Sequence, residues 1–133
     1  METIGFIGSG NMAEALIKGV LNAQIYEPDN VWISDIRQKR LEELRAGYNV
    51  RVAENNKQLV ENAETIILAV KPQNIDEVMD KLRGNIKADS LIVSIMAGIR
   101  TEKIIEGLGA KAVIRVMPNT PALIGEAASC LYA

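Results

Sequence analysis

Six residues near the amino terminus have the types and the spacing of a phosphate-binding loop. The stretch Gly8-Ser9-Gly10-Asn11-Met12-Ala13 fits the pattern G-x-G-x-x-A. In this pattern the first glycine permits a tight turn, and the second lets the backbone approach a pyrophosphate because it has no Cβ. The small residue at the last position of the pattern, Ala13, lets a helix pack close to a strand. The same residues could instead form only a turn and a helix cap.

The sequence on either side of this loop supplies the strand and the helix that the motif needs. Ile4–Ile7 is a short apolar run that ends at a glycine, which predicts a buried parallel strand. Met12, Leu16 and Val20 recur at helical spacing, so we expect a helix over residues 11–23. A helix start offers free N–H groups and a positive dipole end to phosphates. This context favours dinucleotide binding over a simple turn.

The end of the second predicted strand is where an adenosine ribose should lie. Asp35 could accept hydrogen bonds from both ribose hydroxyls, which would favour NAD and repel a 2′-phosphate. Arg37, Lys39 and Arg40 follow it and could attract that phosphate, which would favour NADP. Removal of Asp35 should then shift the preference towards NADP. These residues leave the choice of cofactor open.

Short apolar runs alternate with amphipathic stretches along the rest of the chain. Strands separated by helix-length segments require right-handed crossovers. We therefore expect an α/β fold with a doubly wound, mostly parallel, Rossmann-like sheet that carries helices on both faces. The further strands are predicted at residues 31–34, 50–52, 65–70, 91–95, 112–116 and 127–133. The expected helix caps are Asn55 with Gln58, Asn74 with Glu77, Thr101, and, at the end of the second helix, Gly47.

Composition excludes several classes of function. The chain has 133 residues, which is one domain's worth, and its net charge is −2, so nucleic acid is not an expected partner. The absence of histidine removes the commonest general base and metal ligand, and no metal site is predicted. The single cysteine, Cys130, fits a reducing compartment such as the cytoplasm. No apolar run is long enough to span a membrane.

Three later segments fall at the carboxyl ends of strands, where ligands bind in sheets of this kind. They read Ala69-Val70-Lys71-Pro72, Ser94-Ile95-Met96-Ala97-Gly98 and Met117-Pro118-Asn119-Thr120-Pro121. Together with the glycine loop they resemble the cofactor-binding half of pyrroline-5-carboxylate reductase. The glycine loop is shared by many dehydrogenases, whereas the Met-Pro-Asn-Thr-Pro segment, followed by Gly125-Glu126, is much more specific to this family.

The resemblance implies positions for the cofactor and the substrate. Met96 replaces the small residue more often found at its position, which would tighten the nicotinamide pocket. Substrate-facing residues would be Met117, Pro118, Asn119 and Thr120, and no catalytic residue is expected within the chain. The implied cofactor-binding residues are Ile7, Gly8, Ser9, Gly10, Asn11, Met12, Asp35, Arg37, Asn56, Ala69, Val70, Lys71, Pro72, Ile95, Met96 and Ala97.

The resemblance also implies an activity. Members of the family reduce 1-pyrroline-5-carboxylate to L-proline with NADPH or NADH, and have a second, helical domain for dimerisation and most of the substrate site. We therefore expect residues 1–133 to be the cofactor-binding domain, with NADPH as the cofactor and NADH as the alternative, and a homo-oligomeric full-length parent. The isolated domain should bind the cofactor but lack activity. A stand-alone nucleotide-sensing module and a related imine or 3-hydroxyacid reductase are the alternatives.

Overall fold

The computed structural model of the chain describes residues 2–110 and 112–116. Within them six parallel strands form one sheet, in the order β3-β2-β1-β4-β5-β6. The strands are β1 (Ile4–Ile7), β2 (Val31–Ser34), β3 (Arg51–Val52), β4 (Thr65–Leu68), β5 (Leu91–Ser94) and β6 (Ala112–Arg115). The helices are α1 (Asn11–Asn22), α2 (Gln38–Tyr48), α3 (Asn56–Asn62), α4 (Ile75–Leu82) and α5 (Thr101–Leu108). The predicted doubly wound α/β fold is confirmed.

Alternation of side chains along β1 gives the sheet two apolar faces. Ile4 and Phe6 pack into one core with residues of α1 and α2, whereas Ile7 packs into a second core with residues of α3, α4 and α5. Successive side chains of a strand point to opposite faces, so one short apolar run serves both cores. The helices therefore cover both faces of the sheet, as the sequence predicts.

The strand order creates a crevice at the carboxyl ends of the central strands. β1 pairs with β2 on one side and with β4 on the other, so the chain crosses from one half of the sheet to the other between β3 and β4. At this switch point the loops after β1 and β4 lead to opposite faces and leave room for a ligand. The glycine loop follows β1 directly, so the fold places it at this crevice.

Several helix ends differ from the sequence-based expectation. The predicted C-cap Gly47 is wrong, because α2 continues to Tyr48 and ends at Asn49, whose φ is +61°. Asn tolerates this left-handed conformation, and Tyr48 is held in the helix by a hydrogen bond to Glu14. Asn74 is the N-cap residue of α4, as predicted, but the capping box with Glu77 is wrong, because the Asn74 side chain makes no capping hydrogen bond. The predicted cap Thr101 is also wrong, because Thr101 is the first residue of α5, after Arg100.

The capping box at α3 is confirmed, because the Asn55 side chain accepts a hydrogen bond of 2.8 Å from the Gln58 N–H. The predicted strand at residues 127–133 and the segment Met117 to Thr120 lie outside the described residues. No helix in the described part of the chain is long and apolar enough to cross a bilayer.

Candidate cofactor site

A cavity of about 670 Å³ opens at the carboxyl ends of β1, β2 and β4, at the switch point of the sheet. Its wall includes four cationic side chains and three acidic ones. The predicted cofactor-binding residues that line it are Ile7, Gly8, Ser9, Gly10, Asp35, Arg37, Asn56, Ala69, Val70 and Lys71.

Gly8 makes the tight turn that the motif predicts. Its φ is +94°, a conformation that side chains disfavour, and its N–H donates to the Ser34 carbonyl at 3.0 Å. A Cβ at this position would lie 2.7 Å from the carbonyl carbon and oxygen of Ala69. The loop after β1 therefore touches the loop after β4, and only glycine fits between them.

Gly10 is the N-cap residue immediately before α1 and faces open space. Among residues 2–110 and 112–116, a Cβ at Gly10 would meet no atom within 4 Å, and the Gly10 backbone is extended, so no contact in this part of the chain demands a glycine. Gly10 also provides no side-chain cap for α1. The first N–H groups of a helix have no intrahelical acceptor, so those of α1 are available to an anion at the cavity. The glycine thus keeps space for a ligand.

Ser9, between the two glycines, is fully buried and uses each of its polar groups. Its N–H donates to Asp35 Oδ2 at 2.8 Å, and its hydroxyl donates to the Ser34 carbonyl at 3.0 Å. Its carbonyl accepts a hydrogen bond of 2.7 Å from Arg40 Nε. These three contacts fix the loop to the end of β2 and to α2.

Asp35 and Arg37 form a closed ion pair at the cavity wall. Arg37 Nη2 lies 2.9 Å from Asp35 Oδ2, and Arg37 Nε lies 3.0 Å from Oδ1. Burial raises the pKa of the Asp35 carboxyl, but hydrogen bonds from Arg37 and from the Ser9 N–H outweigh it and hold that pKa below its usual value. Asp35 is therefore ionised and already bonded.

Arg40 joins the glycine loop to Glu14, and through it to Tyr48, although their spacing in the sequence does not indicate a contact. Its Nη2 lies 2.6 Å from Glu14 Oε1, and the Tyr48 hydroxyl donates to Glu14 Oε2 at 2.7 Å. Hydrogen bonds from Tyr48 and then from Arg40 lower the pKa of Glu14. Neither Lys39 nor Arg40 lines the cavity, so of the three cations that follow Asp35 only Arg37 does.

Asn56, the first residue of α3, presents its amide to the cavity. The Ser34 hydroxyl donates to Asn56 Oδ1 at 2.6 Å. Asn56 Nδ2 has no acceptor within residues 2–110 and 112–116, so it is an oriented donor for a ligand. Ser34 thus connects the turn at Gly8 with this amide.

The remaining predicted residues lie beside the cavity or outside the described chain. Asn11 and Met12 are exposed in the first turn of α1, and Pro72 is exposed at the start of a 3₁₀ turn. Met96 is only 3% exposed and packs into the core beneath α4 and α5, so its side chain does not narrow the cavity. Ile95 and Ala97 flank it and do not line the cavity.

Sequence reasoning missed one wall of the cavity. Ile36, between Asp35 and Arg37, is 94% exposed and lines the cavity mouth, where none of the described residues covers its apolar side chain. An isoleucine between two charged residues at a strand end was the available signal. The other lining residues without a prediction are Ser34, Ala53, Glu54, Asn55, Lys57, Asn74, Glu77, Val78, Lys81 and Leu82.

Comparison with known proteins agrees with this geometry. Residues 3–98 match the family described as NADP oxidoreductase, coenzyme F420-dependent. Pyrroline-5-carboxylate reductase of Methanosarcina acetivorans is 39% identical over 96% of this chain and 48% of its own length. Pyrroline-5-carboxylate reductase 2 of Bacillus subtilis is 42% identical over 97% of this chain and 47% of its own.

A solved structure shows the same likeness. The Plasmodium falciparum pyrroline carboxylate reductase with NADP bound superposes with a TM-score of 0.78 and 29% identity, over 93% of this chain and 45% of that one. The predicted resemblance to this group of reductases is confirmed. The chain spans about half the length of the curated relatives it matches.

Proposed function

Since the chain belongs to the NADP oxidoreductase, coenzyme F420-dependent, family, we propose that it binds NADP(H) in the cavity beside the glycine loop and serves the reduction of 1-pyrroline-5-carboxylate to L-proline. One observation supports this most strongly. Gly8 closes a turn that no other residue fits, and Gly10 leaves open space at the uncapped start of α1. A Cβ at Gly10 would occupy the space that a pyrophosphate needs.

The described residues fit a dinucleotide along the whole cavity. The N–H groups at residues 10–12 would hold the pyrophosphate, since those of Gly8 and Ser9 already donate to Ser34 and Asp35. Arg37 and Asn56 would hold the adenosine ribose with its phosphate. The exposed Ile36 gives the adenine an apolar wall. Residues 69–72 and 95–97 follow β4 and β5 and would run towards the nicotinamide, whose role when bound is to supply a hydride.

The substrate site and the assembly are part of the same proposal. Met117 to Thr120 would face the nicotinamide and the substrate. A helical domain for dimerisation and substrate binding would follow residues 1–133 in a cytoplasmic, homo-oligomeric parent. In the reaction this domain would hold the reactive carbon of the cofactor against the imine of the substrate. We assign no proton donor to this domain.

Titration of NADPH into the 133-residue chain tests cofactor binding. The wild type should bind, and Gly10→Val should weaken binding by more than about tenfold, because the branched side chain fills the pyrophosphate space. Gly47→Val is the matched control, since a Cβ at Gly47 also meets no described atom within 4 Å, and Gly47 lies on α2, away from the cavity. Unchanged affinity in a folded Gly10→Val variant would contradict the proposed site.

The substrate is tested by following NADPH absorbance with 1-pyrroline-5-carboxylate. The full-length gene product should oxidise NADPH and form proline, whereas the isolated domain should turn over little. Full turnover by the isolated domain would contradict the division between domains. A full-length product that binds NADPH without turnover would instead favour a nucleotide sensor.

A further inference from the structure

We propose that Asp35 is a positioning residue that presents the Arg37 guanidinium to the 2′-phosphate of NADP(H), and that it does not bind the ribose hydroxyls itself. The inference rests on the proposed function and adds how the site would select NADP(H) over NAD(H). An acidic residue at the end of the second strand usually favours NAD. In this chain the surroundings of Asp35 reverse that expectation.

The carboxylate of Asp35 has no acceptor position left for a ribose. Its Oδ1 accepts from the Arg37 N–H at 2.9 Å and from Arg37 Nε at 3.0 Å. Its Oδ2 accepts from the Ser9 N–H at 2.8 Å and from Arg37 Nη2 at 2.9 Å. A carboxylate offers about four lone-pair positions, and all of them are used. The side chain is also only 7% exposed.

Arg37 shows the opposite pattern. Its side chain is 59% exposed and lines the cavity, although one edge of its guanidinium is fixed to Asp35. The remaining Nη1 and Nη2 hydrogens have no acceptor within residues 2–110 and 112–116. A planar guanidinium with one edge fixed and the other free suits bidentate binding of a phosphate.

Lys57 strengthens the preference for an anion on this wall. It lines the same cavity and forms no ion pair within the described chain. The negative charge of Asp35 is covered by Ser9 and Arg37, whereas the charges of Arg37 and Lys57 face the ligand space. Glu54 lines the same cavity, so a 2′-phosphate would meet the two cations Arg37 and Lys57 with one carboxylate nearby in the sequence.

Release of Asp35 to bind a ribose would disrupt the site itself. The carboxylate would give up four hydrogen bonds, and the Ser9 N–H of the glycine loop would lose its acceptor. Two hydroxyl donors cannot replace these contacts. The bonded arrangement should therefore persist when the cofactor binds.

The test is calorimetric titration of NADPH and NADH into the wild type and its variants. The wild type should bind NADPH at least tenfold more tightly than NADH. Arg37→Gln and Arg37→Lys should bring the ratio of NADPH affinity to NADH affinity close to one, by weakening the binding of NADPH alone. Asp35→Asn should lower the ratio as well, because the guanidinium loses its fixed edge. Arg45→Gln on α2 is the control and should change neither affinity.

Three results would overturn the inference. A rise in the ratio of NADPH affinity to NADH affinity in Asp35→Asn would show that the carboxylate opposes binding of the 2′-phosphate. Equal weakening of the binding of both cofactors in this variant would show that the carboxylate supports only the fold. A ratio unchanged in both Arg37 variants would place the phosphate elsewhere, whether or not Asp35→Asn folds. Failure of the wild type to bind either cofactor would instead contradict the proposed function.

Discussion

Arg40 provides the most informative perturbation outside the cavity. Its guanidinium donates to the Ser9 carbonyl at 2.7 Å and to Glu14 at 2.6 Å, and its side chain is 18% exposed. Arg40→Met keeps the aliphatic stem and removes both bonds, together with the longer contact of Arg40 Nη1 to Glu43 Oε2 at 3.4 Å, while Tyr48 still donates to Glu14. The variant therefore frees the back of the glycine loop and leaves its cavity face unaltered.

The expected magnitude follows from these contacts. A hydrogen bond to a charged group contributes about 1.5–3 kcal/mol, and water replaces part of the loss at a partly exposed side chain, so the free energy of unfolding should fall by about 2 kcal/mol. Loss of the Ser9 contact alone, at roughly 1.4 kcal/mol, corresponds to about tenfold weaker dinucleotide binding. NADPH and NADH should weaken by the same factor, because Arg40 fixes the loop and does not touch the 2′-phosphate.

The assay pairs calorimetric titration of both cofactors with urea unfolding. Arg45→Met is the control, since Arg45 is exposed on the same helix and its side chain makes no ion pair in the described chain. Selective loss of NADPH affinity in Arg40→Met would refute the reasoning, because it would place Arg40 at the 2′-phosphate. Unaltered affinity for both cofactors would show that the loop needs no support from α2.

Three further predictions concern the loop, the cavity mouth and pH. Gly8→Ala should lower the free energy of unfolding by at least about 2 kcal/mol, because of its positive φ and the contact with Ala69, and a urea midpoint equal to that of the wild type would contradict this. Ile36→Ser should leave the free energy of unfolding unchanged and weaken NADPH binding about fivefold, at roughly 1 kcal/mol for the lost apolar contact. Ile105→Ser, on α5, is the control and should not weaken NADPH binding. Because the pKa of Asp35 is lower in the folded state than its usual value of 3.8, the ionised carboxylate stabilises the fold at pH values above 3.8, and this stabilisation is lost as pH falls through the folded-state pKa. The free energy of unfolding of Asp35→Asn, measured in urea, should therefore vary less with pH below about 5 than that of the wild type. Equal pH dependence in the two proteins would contradict this prediction.

Strands and the glycine loop were predictable because their signals are local. Glycines that follow Ile4–Ile7 and precede a helical repeat predict a strand, a turn and a helix, and the structure has β1 and the start of α1 at the predicted residues. The predicted helix caps were less reliable, since tertiary contacts decide where a helix ends. Tyr48 extends α2 past Gly47 by its bond to Glu14, which is 34 residues away in the sequence.

The cavity was only partly predictable for the same reason. The residues that follow β1, β2 and β4 could be placed from the rule for parallel sheets. The pairing of Asp35 with Arg37 and the contact of Arg40 with Ser9 depend on side-chain geometry across loops, which spacing does not determine. Residues of α4 such as Val78 reach the cavity only because α4 packs beside α3.

A crystal structure of the domain with NADPH tests the proposed site most directly. The diphosphate should lie over Gly10 at the start of α1, within hydrogen-bond distance of the loop N–H groups, with Asp35 and Arg37 still paired. Density for the cofactor at another surface, or a cavity without cofactor in a crystal grown at saturating NADPH, would contradict the assignment of this cavity as the cofactor site.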